Sequence, residues 1–260
     1  MISNNETTLQ NIDALRIEHL SSLPEFQDLF LELQIPHAHI VELLHNGACI
    51  GYGIIKVRVI LEFYVLSSFQ SEICRHFSEI IKICDVDTIL VQSFDRVLMA
   101  CCSRLYSYRE IGLLYRDFTQ IKSPKTPELS FRPAVLRDLP FLLMQEDEVF
   151  EPKDMLSGSI EKGEIILCLN GEKIVGCGFL TRIHPRWEYH DIGVFVVPEF
   201  RMQGFGTQII SYLIDICTNN NWIPVCGCGI DNYGSQRTLE KCGFVSRHRL
   251  LSFAVTKFGR

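Results

Sequence analysis

Residues 198–207 read Pro-Glu-Phe-Arg-Met-Gln-Gly-Phe-Gly-Thr, and the spacing Arg201-x-x-Gly204-x-Gly206 is the part of this chain best suited to chemistry. A β-branched run through Val194, Val196 and Val197 stops at Pro198, and an apolar-periodic segment begins at Thr207. The order is strand, glycine loop, helix start. A helix start offers unpaired backbone N–H groups and the positive end of its dipole, which favour bound phosphate. Glycines let such a loop bend sharply and approach a ligand closely. Two widespread phosphate loops are excluded: no Lys follows Gly206, and the glycine spacing is not that of a dinucleotide fingerprint.

Proton acceptors lie just upstream on the same strand: Glu188, His190 and Asp191. By two-residue alternation Glu188, His190, Ile192, Val194 and Val196 share one face, and Asp191 lies on the other. His190 is the first candidate for a general base, because an ordinary imidazole titrates near neutrality. Its bland alternative is a satisfied histidine near a strand end. Asp191 and Glu188 are the other candidates.

The elements that must position these residues follow from periodicity. Thr207 to Asn221 reads as a helix with a wide apolar stripe over Ile209, Ile210, Leu213, Ile214, Ile216 and Cys217. Trp222 to Ile230 reads as a strand, Trp187 to Val197 as the central strand, and Glu164 to Arg182 as a hairpin around Asn170-Gly171.

Arg201-x-x-Gly204-x-Gly206 resembles the acyl-CoA pyrophosphate loop of the GNAT superfamily of N-acetyltransferases. Downstream, Asn232, Ser235, Lys241, Gly243 and Phe244 stand at the spacing of that family's second signature, in the correct order and at the correct separation. Ser130 to Phe141 is similar to its opening strand and first turn, so the resemblance covers about residues 128–256. It implies an α/β (α+β) fold, with a mixed, mostly antiparallel sheet flanked by helices and a fourth strand splayed from the fifth. It also implies acetyl-CoA as co-substrate. Backbone groups of Val194, Phe195 and Val196 would pair with the pantetheine. Arg201, Met202, Gln203, Gly204, Phe205, Gly206 and Thr207 would hold the pyrophosphate, with Asn232 and Ser235 on the pantetheine arm. The implied reaction passes an acetyl group to a primary amine by direct attack in a ternary complex. One position departs: many members carry a Tyr where this chain has Leu239, and that Tyr protonates the departing thiolate. A thiol with a pKa of about 8.5 does not strictly need an acid. A non-catalytic acyl-CoA-binding or interaction protein is the alternative, with Leu239 its main support.

The first half of the chain repeats the second. Leu43 to Gly53 reads beside Leu167 to Gly178 with one residue inserted, each giving a strand, an Asn-Gly turn and a strand carrying G-x-G. Strands over Arg58 to Val65, Thr88 to Phe94 and Arg109 to Phe118, with helices over Ser71 to Cys84 and Arg96 to Leu105, complete a degenerate GNAT-like copy. The expected organisation is tandem: 1–120 without a cofactor loop, a Pro-containing linker at 121–128, and the acetyltransferase domain at 129–260. Ser67 to Ser71 has neither Gly nor Arg, and Phe69 is expected to put a ring where a pyrophosphate would sit. Only the second copy should bind acyl-CoA.

Composition narrows the rest. Hydrophobic residues make up 47% and charged residues 22%, ordinary for a soluble globular protein. The apolar runs are too short for a membrane span, and the N-terminus lacks the parts of a signal peptide. Eleven scattered cysteines read as reduced core residues of a cytoplasmic protein. Cys226-x-Cys228 lacks the two-residue gap of a zinc knuckle, so no metal is expected. A net charge of −6 argues against nucleic acid and favours a cationic amine, on a small molecule or a protein. A homodimer is compatible with the sequence. Acceptor specificity is expected from the loops at Val149 to Ser159 and His184 to Trp187.

Overall fold

A computed structural model describes residues 2–103, 107–119 and 129–255. The chain forms two units, Met1–Leu114 with Arg247–Arg260, and Tyr115–Ser246. The linker expected at 121–128 lies outside the described residues.

The N-terminal unit runs β1 (Ile2–Glu6), α1 (Leu9–Ser22), α2 (Leu29–Glu32), β2 (His39–His45), β3 (Ala48–Lys56), β4 (Val59–Val65), α3 (Ile73–Ile83), β5 (Thr88–Gln92) and α4 (Arg96–Cys102). β6 (Tyr108–Phe118) begins in this unit. Strands β1 to β4 pair antiparallel in sequence order, and β4 meets β5 in parallel. The second unit runs β7 (Leu129–Pro133), α5 (Leu139–Leu143), α6 (Leu156–Glu161), β8 (Ile165–Asn170), β9 (Lys173–Arg182), β10 (Tyr189–Val196), α7 (Phe205–Asn219), β11 (Ile223–Gly229) and α8 (Tyr233–Lys241). Its strands repeat the same scheme, β7 to β10 antiparallel and β10 to β11 parallel. β12 (Phe244–Ala254) starts in the second unit, and its residues Leu250–Ala254 pair antiparallel with β5.

The repeated G-x-G has one physical reason in both units. A Cβ on Gly51 would meet the Tyr64 carbonyl at 2.3 Å, and one on Gly176 would meet the Phe195 carbonyl at 2.3 Å. A Cβ on Gly53 or Gly178 would strike the covering helix, at Ile80 or Leu213, at 2.8 Å in each case. Bare backbone there lets α3 and α7 come down onto their sheets. α7 answers by burying Ile209, Ile210, Leu213, Ile214 and Cys217, each worth roughly 1.5–3 kcal/mol of removed apolar surface.

The hairpin turns differ although both contain Asn-Gly. Asn46 and Gly47 both take positive φ, 52° and 83°, in the two-residue loop closed by His45↔Ala48. In the second unit Asn170 pairs with Lys173, so the loop is Gly171-Glu172 and only Gly171 is left-handed, at 61°. The strand register there absorbs Asn170. Elsewhere Trp187 falls outside the central strand, which starts at Tyr189, and α7 begins two residues earlier than its apolar stripe implied.

Candidate functional site

In the C-terminal unit β10 and β11 share three ladder positions, Tyr189↔Ile223, His190↔Pro224 and Asp191↔Val225. Beyond Asp191 the two strands part, while β10 stays paired to β9 through Val196↔Gly176. The edge of Ile192–Val196 that faces β11 therefore carries no ladder. Of Val194, Phe195 and Val196, expected to pair with a ligand, Val194 and Val196 turn their backbone groups to this open edge, whereas the Phe195 carbonyl turns to Gly176 on β9.

The loop that follows leads into a helix start that no side chain caps. Gly204 takes φ 85° and stands at the N-cap of α7, with no side chain bonding the helix start. The first-turn N–H groups are thus left for solvent or ligand. A Cβ on Gly204 would meet nothing within 4 Å, so the space over the turn is empty. Met202, also left-handed at 63°, projects fully into solvent. Gln203 donates to the Glu199 carbonyl at 3.2 Å, and Phe205 packs inward against Phe200. The Thr207 carbonyl accepts from Cys242. Gly206 lies against Thr238 and Val196.

Arg201 is the loop residue tied to both neighbours. Its Nε donates to the Val196 carbonyl at 3.0 Å and its Nη2 reaches Asp147 at 3.3 Å, a pair exposed on both sides. The guanidinium fastens the loop to the end of β10. Asn232 caps α8, its side-chain oxygen accepting from the Ser235 N–H at 3.0 Å. Asn232 is exposed and stands three residues past the end of β11.

β10 alternates as the sequence implied, and the structure shows what each face meets. Val194 and Val196 pair with Gly178 and Gly176, whose missing Cβ atoms would strike α7, so this face packs on α7. His190 belongs to it. Its ring lies buried and stacked on Trp222, centroids 4.1 Å apart and 14° from parallel, and its Nδ1 sits 3.0 Å from the Glu188 carbonyl. Burial holds its pKa below the ordinary histidine value. Glu188 is exposed and bound to Arg182 at 2.7 Å. The opposite face carries Asp191, Gly193 and Phe195 toward α5 and α6. Phe195 meets Phe150 at 4.8 Å, and Phe150 meets Phe179 at 5.6 Å, within the core cluster that includes Leu142, Leu156 and Ile160. Gly193 pairs with Phe179, whose side chain lies 3.5 Å from where a Gly193 Cβ would stand. The entry to α5 is fixed by Arg132, which grips Asp138 at 2.7 and 2.8 Å while Asp138 also accepts the Val135 N–H. The guanidinium hydrogen bonds hold the Asp138 carboxyl below its usual range.

The aromatic wall of Phe150, Phe179 and Phe195 and the bare Gly193 were not singled out in the sequence, and alternation around Gly193 was the available signal. Tyr115 was also missed. It is fully buried, its hydroxyl beside the Cys228 thiol and without an oxygen or nitrogen partner. Burial pushes both groups' pKa up. Leu239, in the position of the expected acid, is buried. All eleven cysteines are free thiols, and no helix among the described residues is long and apolar enough to cross a membrane. In the N-terminal unit Ser67–Glu72 forms a 3₁₀ turn, and the Phe69 ring packs on His45 at 5.0 Å and on the core cluster that includes Phe77 and Ile80 of α3.

Family comparison agrees with this geometry in both halves. Residues 8–117 match an acetyltransferase (GNAT) domain and residues 131–244 the acetyltransferase (GNAT) family. The chain belongs to the GNAT acetyltransferase family. Among solved structures it is similar to a GNAT-family acetyltransferase from Colwellia psychrerythraea, with TM-score 0.89 and 19% identity over 98% of this chain and 100% of that one. It is also similar to a tandem GNAT protein from the clavulanic acid biosynthesis pathway, with TM-score 0.63 and 9% identity over 98% of each chain. A GCN5-related N-acetyltransferase from Sphaerobacter thermophilus gives TM-score 0.57 and 13% identity over 82% and 79%. At these identities the likeness is one of fold. No curated protein sequence matches the chain.

Proposed function

We propose that the C-terminal unit is an acetyl-CoA-dependent N-acetyltransferase that passes the acetyl group directly to a primary amine on a small molecule or protein. The observation that carries this reading is the opening of β10 from β11 after Asp191, with the uncapped start of α7 beside it. Acetyl-CoA supplies the activated thioester. The chain supplies a backbone edge at Val194–Val196, unpaired N–H groups at Phe205–Thr207 for the pyrophosphate, and the Asn232 amide.

Asp191 is the favoured proton acceptor. It stands at the last ladder position, on the face of Gly193 and the aromatic wall, whereas His190 is stacked away on the other face. A carboxylate there would attract a cationic amine and take a proton from it, freeing the lone pair that then attacks the thioester carbonyl as CoA leaves as its thiolate. Phe150 and Phe195 are buried in the core, and the half-buried Phe179 beside Gly193 favours an acceptor with an apolar body next to its amine. The net charge of −6 and the free thiols fit a cationic acceptor and a reducing cytoplasm. The second reading, an acyl-CoA-binding protein without turnover, draws on the buried Leu239. Release of CoA from acetyl-CoA against a panel of amines tests the choice: amine-dependent release is expected, and binding without release against every amine would favour the second reading.

A further inference from the structure

We propose that the N-terminal unit contains a guanidinium-binding site, built by Glu62, Glu32, Gln27 and Tyr52, that the chain fills with its own Arg16. The site lies where this unit's sheet opens. β4 and β5 share only Val59↔Thr88 and Ile60↔Ile89, and Glu62 follows two residues past the last of these. Arg16 comes from α1 and is buried. Its Nη2 donates to Glu32 at 2.5 Å and to Glu62 at 2.8 Å, and its Nε lies 3.1 and 3.3 Å from the two Glu62 oxygens. Two carboxylates thus converge on one planar fork, a match that an ammonium would not reproduce.

The receptor is organised without its occupant. The Gln27 amide, 1% exposed, donates to Glu32 at 2.9 Å and to Glu62 at 2.5 Å, so one side chain holds both carboxylates. The Tyr52 hydroxyl donates to Glu62 at 3.1 Å. Gln92 on β5 accepts the Asp28 N–H at 2.7 Å and lies 3.5 Å from the Gln27 oxygen. The chain Gln92–Gln27–Glu62 therefore bridges the parted strands with side chains. His19 and Asp95 lie next to the cluster, 4.0 Å apart. Removing Arg16 leaves two held carboxylates facing a vacated guanidinium-sized space, a buried arrangement that strongly favours any cation of the right shape.

The test is Arg16→Ala in the full chain, with methylguanidinium and methylammonium as probes at about 10 mM, far below denaturing concentrations. The variant is expected to melt roughly 10 °C below the parent, as loss of a buried charge partner implies. Methylguanidinium should recover several degrees in Arg16→Ala, leave the parent unchanged, and exceed methylammonium. Arg16→Ala/Glu62→Gln should show no recovery. If Arg16→Ala does not fold unaided, its refolding yield should rise with methylguanidinium and not with methylammonium. Equal effects of the two cations, equal recovery in the double variant, or no recovery in either melting or refolding would overturn the site. Acetyl transfer is not read at any point, so the result is independent of the activity assigned to the other unit.

Discussion

In the C-terminal unit the last ladder position between the parallel strands is Asp191↔Val225; in the N-terminal unit it is Ile60↔Ile89. Two residues on stand Gly193 in one and Glu62 in the other, each on the face turned to the unit's first helices. The opening is a property of the backbone and persists in both. What fills it differs. Glu62 is fully buried and needs a cation, so Arg16, Gln27 and Glu32 close over it. Gly193 demands nothing, and its face stays bare. The loops divide the same way: Gly204 in left-handed conformation before α7, against a 3₁₀ turn without glycine before α3. A buried charge commits the space around it, so the same backbone opening can be filled in one unit and not in the other while the sheet stays the same.

The largest effect should come from blocking the proposed CoA site of the C-terminal unit. Calorimetry with CoA is expected to show a single site per chain, and Gly204→Val should weaken it at least 100-fold. The branched residue strains a φ of 85° by roughly 1–3 kcal/mol and fills the space over the turn. Since its Cβ meets no protein atom, the fold should survive. Two equivalent CoA sites would mean that the N-terminal opening is not closed by its side chains. Next in size, Asp191→Asn should lower kcat by roughly 10²-fold with CoA affinity nearly unchanged, and acceptors of lower amine pKa should regain part of the loss. Full activity in Asp191→Asn would remove it from the chemistry.

Much of this contrast was legible in the residues. The glycine loop and the G-x-G hairpins gave the family and the tandem fold, because each is a local constraint on backbone shape. The alternation of β10 also held, with no bulge against β9 from His190 to Val196. Which face met the first helices was not legible, because alternation fixes partners on a face and not the layer above it. Trp222 lies 32 residues from His190 in sequence and stacks on it only through the strand pairing. The Arg16 cluster draws on α1, α2, β3 and β4, four elements that no local spacing in the sequence ties together.

A smaller effect sharpens the comparison at its pivot. A Cβ on Gly193 would make ordinary contact with Phe179 at 3.5 Å, so Gly193→Ala should be nearly neutral. Gly193→Leu should raise the acceptor KM roughly 10-fold, while CoA affinity shifts less than about 3-fold. If CoA affinity falls as far as acceptor affinity, the bare face belongs to the cofactor and not to the amine.

The smallest effect concerns His190, and it separates a packed histidine from a proton acceptor. The stacked pair with Trp222 predicts a coupling of about 0.5–1.5 kcal/mol in a double-mutant cycle of His190→Ala and Trp222→Ala, read by denaturant melts. Turnover in His190→Ala, measured where the variant is fully folded, should stay within about 3-fold of the parent. The pH dependence of stability gives an independent arm. Burial depresses the folded-state pKa, so the unfolded chain takes up a proton first as pH falls below about 6.5. The stability linked to a neutral His190 is complete above that pH and declines on acidification toward the lower folded value. In His190→Gln this part of the acid slope should vanish. An unchanged slope together with a large loss of kcat would place His190, and with it the α7 face of β10, in the chemistry.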